Sequence, residues 1–157
     1  MHSQILIFVN EENASTFEEI SELELHEVKP NYVDYIEETK AEPDYLEDIS
    51  KEFSKDDLMS FKGKTLTIHN PKGLFKFINK QAIERIKQIL ANEKFSNEIL
   101  SYKNLIEEAI GTDEGGYLVY DKDDSCFYKL KTWLYWWCKH DDKPLKLNLV
   151  QVFDYHW

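Results

Sequence analysis

The sequence predicts an α+β fold, a single domain over residues 1–157 with a mixed, mainly antiparallel sheet and about four to five helices. Three observations carry this reading. A chain of 157 residues, 42% apolar and with only five Gly and four Pro, hides roughly 70% of its unfolded surface in one core, which excludes disordered and fibrous classes. Strand-like runs, continuous at the start and alternating in places later, stand at the start and in the last third, whereas helical stripes fill much of the middle. The order is strand, helices, strand, two helices, then mainly strands, unlike the alternation of a βαβ fold.

Gln4 to Val9 reads as a buried strand, short and rich in β-branched residues. Ser15 with Glu18, or Thr16 with Glu19, fits a capping box for a helix burying Phe17, Ile20 and Leu23. Leu23 and Leu25 then alternate with acids as a strand would, up to Pro30. Tyr32, Tyr35 and Ile36 return to helical spacing. Pro43 suits a first helical turn, and Tyr45, Leu46, Ile49 and Phe53 form the stripe of the next helix.

Thr65 to His69 alternates as a strand, and Asn70-Pro71-Lys72-Gly73 fits a type I turn. Ile83, Ile86, Ile89 and Leu90 define a helix from about Asn79, and Ser96 caps another through Ile99, Tyr102, Ile106 and Ile110, ending at Gly111. Tyr117–Asp121 and Cys126–Lys131 make a hairpin across Lys122-Asp123-Asp124-Ser125. The aromatic run Trp133–Cys138 fits either state. Leu145, Leu147, Leu149 and Phe153 share one face of a final strand, with Lys146 and Asn148 on the other.

Charge is divided unevenly. Residues 1–60 carry 17 acidic against 4 basic side chains, and residues 61–157 carry 13 against 15. Residues 61–87 alone hold Lys62, Lys64, Lys72, Lys76, Lys80, Arg85 and Lys87 against Glu84. Such asymmetry bears on partners and association rate rather than on fold. The acidic third lacks the lysines and arginines that phosphate neutralisation needs, so direct nucleic-acid binding there is disfavoured. Arg85, the chain's single arginine, cannot furnish an extensive readout surface elsewhere. Residues 11–60 include 17 apolar side chains, too many for a solvated tail, so the acids are expected on folded elements.

Known chemical motifs fail in detail. Gly63-Lys64-Thr65 resembles the end of a phosphate loop, but Leu58 stands where the first Gly belongs. The acids Asp121, Asp123 and Asp124 resemble a calcium loop, yet Cys126 and Thr132 occupy the Gly and Glu positions. Cys126, Cys138, His140 and His156 are zinc-ligand types without paired spacing, so neither metal nor cofactor is expected. The short apolar run Ile5–Val9, the absence of a positive residue before it, and two cysteines without a disulfide framework fit a cytoplasmic protein.

The expectation is an acidic, non-enzymatic inhibitor that covers a basic protein partner, as an immunity protein covers a nuclease toxin, with no membrane association. Candidate contacts are the carboxylates Glu18, Glu19, Glu22, Asp34, Glu37, Glu38, Asp44, Glu47 and Asp48, with Tyr32, Tyr35 and Tyr45 as anchors. Two alternatives use other residues: a small enzyme built on carboxylates or on Cys138 and His140, and a nucleic-acid or carbohydrate module built on the lysines and Trp133, Tyr135, Trp136 and Trp137.

Overall fold

A computed structural model describes residues 2–31, 33–40, 51, 57–91 and 117–156. In chain order these form β1 (His2–Asn10), a 3₁₀ turn (Glu11–Asn13), α1 (Glu22–Val28), β2 (Tyr35–Glu38), β3 (Met59–Lys62), β4 (Thr65–Ile68), α2 (Pro71–Ala91), β5 (Leu118–Asp121), β6 (Cys126–Lys129), α3 (Leu130–His140) and β7 (Leu145–His156). The class is α+β, but the helix count differs from expectation. Three α-helices occur among the described residues, not four to five. Of the helix expected around Pro43–Phe53 only Lys51 is described, and it is helical; the helix expected over Ser96–Ile110 lies outside the described residues.

One seven-stranded sheet runs β3-β4-β7-β1-β5-β6, with β2 paired to β7 off this path. The long strand β7 is its axis: β1 lies antiparallel along one edge, while β4 and β2 share the other, opposite 145–148 and 153–156. Only the β1–β5 pair is parallel among these ladders. Gly63 sits at φ +60° in the two-residue turn between β3 and β4, where a side chain would be strained. Gly63-Lys64-Thr65 therefore serves a hairpin. Lys122–Ser125 is a turn between β5 and β6, as the sequence predicts.

Both faces of the sheet are covered. On the first, Leu6, Phe8, Leu66, Leu147 and Leu149 meet Leu74 and Ile78 of α2 and Leu130, Trp133, Leu134 and Cys138 of α3. On the second, Ile5, Ile7, Leu118 and Phe153 meet Ile20, Leu25, Val33 and Ile36. Alternation along β1 explains how adjacent residues feed opposite cores. A β-bulge explains why Phe153 does not join the face of Leu145, Leu147 and Leu149. Ile7 pairs with Gln151 and Phe8 with Leu149, so Val150 is an extra residue in β7 and the alternation reverses beyond it.

Three helical boundaries depart from the sequence reading for local reasons. Asn70 and Pro71 open α2 instead of forming an isolated turn: Asn70 Oδ1 accepts from the Gly73 amide at 2.9 Å, and Pro71 takes the first helical position. The helix thus starts well before Asn79 and buries Pro71, Leu74, Ile78 and Ala82, while Ile83 faces outward. Ser21, not Ser15 or Thr16, caps α1 by accepting from the Glu24 amide at 3.2 Å. Leu23 and Leu25 consequently lie in a helix, with Leu25 buried and Leu23 exposed. Ile36 belongs to β2, because the β7 edge supplies its backbone partners and the sheet buries its side chain. Among the described residues no helix is long and apolar enough to cross a membrane.

Candidate functional site

The acidic segment is docked on the second face of the sheet through a buried polar side chain. Gln151 Oε1 accepts from the Ile20 amide at 2.7 Å and its Nε2 donates to the Ile20 carbonyl at 3.2 Å and to Glu38 Oε1 at 3.4 Å. Ile20 and Leu25 then anchor the segment around α1 in the core. Glu22 Oε1 accepts from the Glu38 amide at 2.9 Å, which ties the start of α1 to the end of β2.

These bonds gather Glu22, Tyr35, Glu37 and Glu38. The Tyr35 phenol is held above its ordinary range, first by the charge of Glu37, then by desolvation, a hydrogen bond with Glu37 and the charge of Glu22. Tyr35 remains 49% exposed and packs edge-on to His156 at 5.9 Å. Asp34, Glu18 and Glu19 are also exposed. Tyr32, Asp44, Tyr45, Glu47 and Asp48 lie outside the described residues. Leu23, 70% exposed among these acids, is a contact candidate that the sequence reading missed because it assigned Leu23 to a core-facing stripe.

Among the described residues these carboxylates have little cationic company. Residues 11–40 hold ten acids and two lysines. Lys29 donates to the carbonyls of Val33 and Asp34, and Lys122 reaches the Glu18 carbonyl while lying 5.6 Å from the Phe17 ring centre. Among the described residues, no lysine or arginine forms an ion pair with Glu18, Glu19, Glu22, Asp34, Glu37 or Glu38. Lys72, Lys76, Lys80, Arg85 and Lys87 ride on α2 across the sheet, where Lys72 pairs with Asp142 at 2.8 Å. Lys146 lies 3.8 Å from Glu11 in an ion pair.

The two residues of the thiol-based alternative differ in exposure. Cys138 is buried on the inner side of α3, and burial, with a smaller push from Asp141, raises its thiol to about 12. His140, two residues on, is exposed and stacks on Trp136. Ser60 and His69 do meet, Oγ to Nε2 at 2.8 Å, on the solvent side of the β3–β4 hairpin.

A second feature lies where β5, β6 and α3 meet. Asp121 Oδ1 accepts from the amides of Asp123 and Asp124 at 3.1 and 3.5 Å, and its Oδ2 accepts from Trp133 Nε1 at 3.2 Å. The residues that resemble a calcium loop thus build a turn and fix an indole. Above them opens a cleft of about 710 Å³ bounded by Trp136, Trp137, Tyr128, Asp123, Asp124 and Asp141. A smaller cleft of about 390 Å³ shares Trp133, Trp137, Asp121 and Asp123 with it and is also lined by Phe17 and Glu18. The density of tryptophan in α3 was visible in the sequence; its partnership with the β5–β6 turn depends on the fold.

No family model, curated protein or solved structure matches the chain at a significant level.

Proposed function

We propose that this protein binds and neutralises a basic protein partner, in the manner of an immunity protein covering a nuclease toxin in the cytoplasm. The reading is supported above all by the exposed carboxylates Glu18, Glu19, Glu22, Asp34, Glu37 and Glu38, which form no ion pair with a lysine or arginine among the described residues, while the cationic helix α2 lies across the sheet. A fixed array of like charges draws a complementary surface by long-range attraction and orients the encounter. Exposed Leu23 and Tyr35 supply the apolar contacts that hold a complex once formed.

The test compares immobilised wild-type protein with a variant carrying Glu18→Lys, Glu19→Lys, Asp34→Lys and Glu37→Lys, chosen because none of these carboxylates holds a main-chain group in place. A basic protein should be retained by the wild type and lost by the variant. With that protein purified, the substitutions should slow association by about ten- to a hundredfold at low salt and by much less at high salt. Loss of the partner's activity in the complex completes the reading. Equal association rates for variant and wild type, or the absence of a differentially retained basic protein, would refute it.

A further inference from the structure

We propose that the larger cleft over α3 is a binding site for a guanidinium group, the side chain of an arginine within an extended peptide. This proposal uses none of the carboxylates assigned to the acidic face and does not depend on the reading given to that face. The cleft combines two kinds of surface. Trp136, 45% exposed, with Trp137 and Tyr128, supplies flat aromatic area, while Asp121, Asp123, Asp124 and Asp141 supply four carboxylates; His140 shares the lining, and among the described residues no lysine or arginine does.

The hydrogen bonds within the cleft sort these carboxylates. Both oxygens of Asp121 are engaged by the turn and by Trp133. Asp124 Oδ2 accepts from the Tyr128 hydroxyl at 3.2 Å, and Asp141 Oδ1 accepts from the Lys143 amide at 2.9 Å. Asp123, the second oxygen of Asp124 and the second oxygen of Asp141 retain acceptor capacity toward the cleft. Such a lining repels phosphates and neutralises a cation.

The indole surface already takes a cation. Lys139 Nζ lies 4.7 Å from the Trp136 ring centre, and the His140 ring stacks parallel to the same indole at 6.4 Å. A planar guanidinium matches both features, because its flat face stacks on an aromatic ring while its edge donates in a fork to carboxylates. An ammonium gives a point charge without the fork, and a neutral sugar leaves the carboxylate field unanswered. A volume of about 710 Å³ exceeds one side chain, which leaves room for flanking residues of a peptide.

The experiment follows the four indole N–H resonances of the whole chain by NMR during titration with the capped tripeptide Gly-Arg-Gly. Parallel titrations replace Arg by Lys or by citrulline, an uncharged isostere. Saturable shifts at Trp136 and Trp137 are expected with the Arg peptide, weaker ones with Lys, and none with citrulline. Asp123→Asn combined with Asp124→Asn should weaken the Arg peptide about tenfold. An unchanged urea midpoint will show that the turn is intact. Trp136→Leu supplies a second variant that removes the stacking surface and should weaken binding without touching the carboxylates. Equal binding of citrulline, unaltered affinity in the Asn variant, or no saturable shift at millimolar peptide overturns the proposal.

Discussion

Gln151 is the side chain whose replacement should most directly separate the acidic segment from the sheet. It is 7% exposed, and the Ile20 backbone groups that it bridges belong to a residue 2% exposed. Gln151→Ala strips the partner from a buried amide and a buried carbonyl together. An orphaned buried group costs about 1–3 kcal/mol, and some hydration of the vacated space offsets part of the loss, so a destabilisation of about 3 kcal/mol is expected. Gln151→Glu keeps an acceptor for the Ile20 amide but loses the donor, and sets the introduced carboxylate against the Ile20 carbonyl and Glu38. Burial beside another acid raises that carboxyl's proton affinity in the folded state above its unfolded value. Its stability deficit should therefore be largest at neutral pH and shrink as pH falls and the group is protonated. Urea unfolding followed by tryptophan fluorescence at pH 7 and pH 5 measures both effects, and hydrogen exchange at the Ile20 amide localises them. If Gln151→Ala unfolds within about 0.5 kcal/mol of the wild type, the idea that this side chain docks the segment is wrong.

Other substitutions probe the first face of the sheet. Gly73→Ala, a change that ordinarily favours a helix, should instead destabilise by about 1 kcal/mol, because the added carbon would lie 2.7 Å from both Asn70 Nδ2 and Leu58 Cδ2 and disturb the α2 cap; a raised urea midpoint would contradict this. Thiol chemistry should distinguish the exposed Cys126, which a disulfide reagent modifies in the native protein, from Cys138, which reacts only on unfolding. The native thiol of Cys138 keeps its proton to about 12, against an ordinary value of 9.0. The unfolded chain therefore loses that proton first, and the contribution, full below pH 9, declines as pH rises toward 12 by about 1.4 kcal/mol per unit. The stability gap between wild type and Cys138→Ala should accordingly narrow above pH 9, and a constant gap would show that the thiol is not shielded.

The strands were more legible than the helices because their signal is local. β1 follows from a short uninterrupted apolar run rich in β-branched residues, β4 from period-two alternation and the β5–β6 hairpin from its turn residues, and each stands close to where that pattern places it. α3 was ambiguous because Trp, Tyr and Cys carry little helix preference, although Leu130, Trp133, Leu134 and Cys138 occupy one face at helical spacing. α1 and β2 were misread for a shared reason. Both are short, and their states are decided by contacts distant in sequence: Gln151 holds Ile20 across 131 positions, and β2 owes its extended form to the far end of β7. The Phe153 error has a single cause, since one extra residue at Val150 inverts every later side chain. The acidity of the candidate face was plain in composition, but the placement of the cationic helix across the sheet required the topology.

The position of β7 has a consequence for how the molecule is made. Among the described strands it comes last in the chain, yet β1, β4 and β2 all depend on it for pairing. A nascent polypeptide that has reached only β6 holds the earlier strands without their common neighbour, so the sheet closes after β7 has been synthesised, through contacts of long sequence separation. Translation that stops short of β7 would leave β2 without the strand it pairs with, and such fragments should be prey for proteases and chaperones.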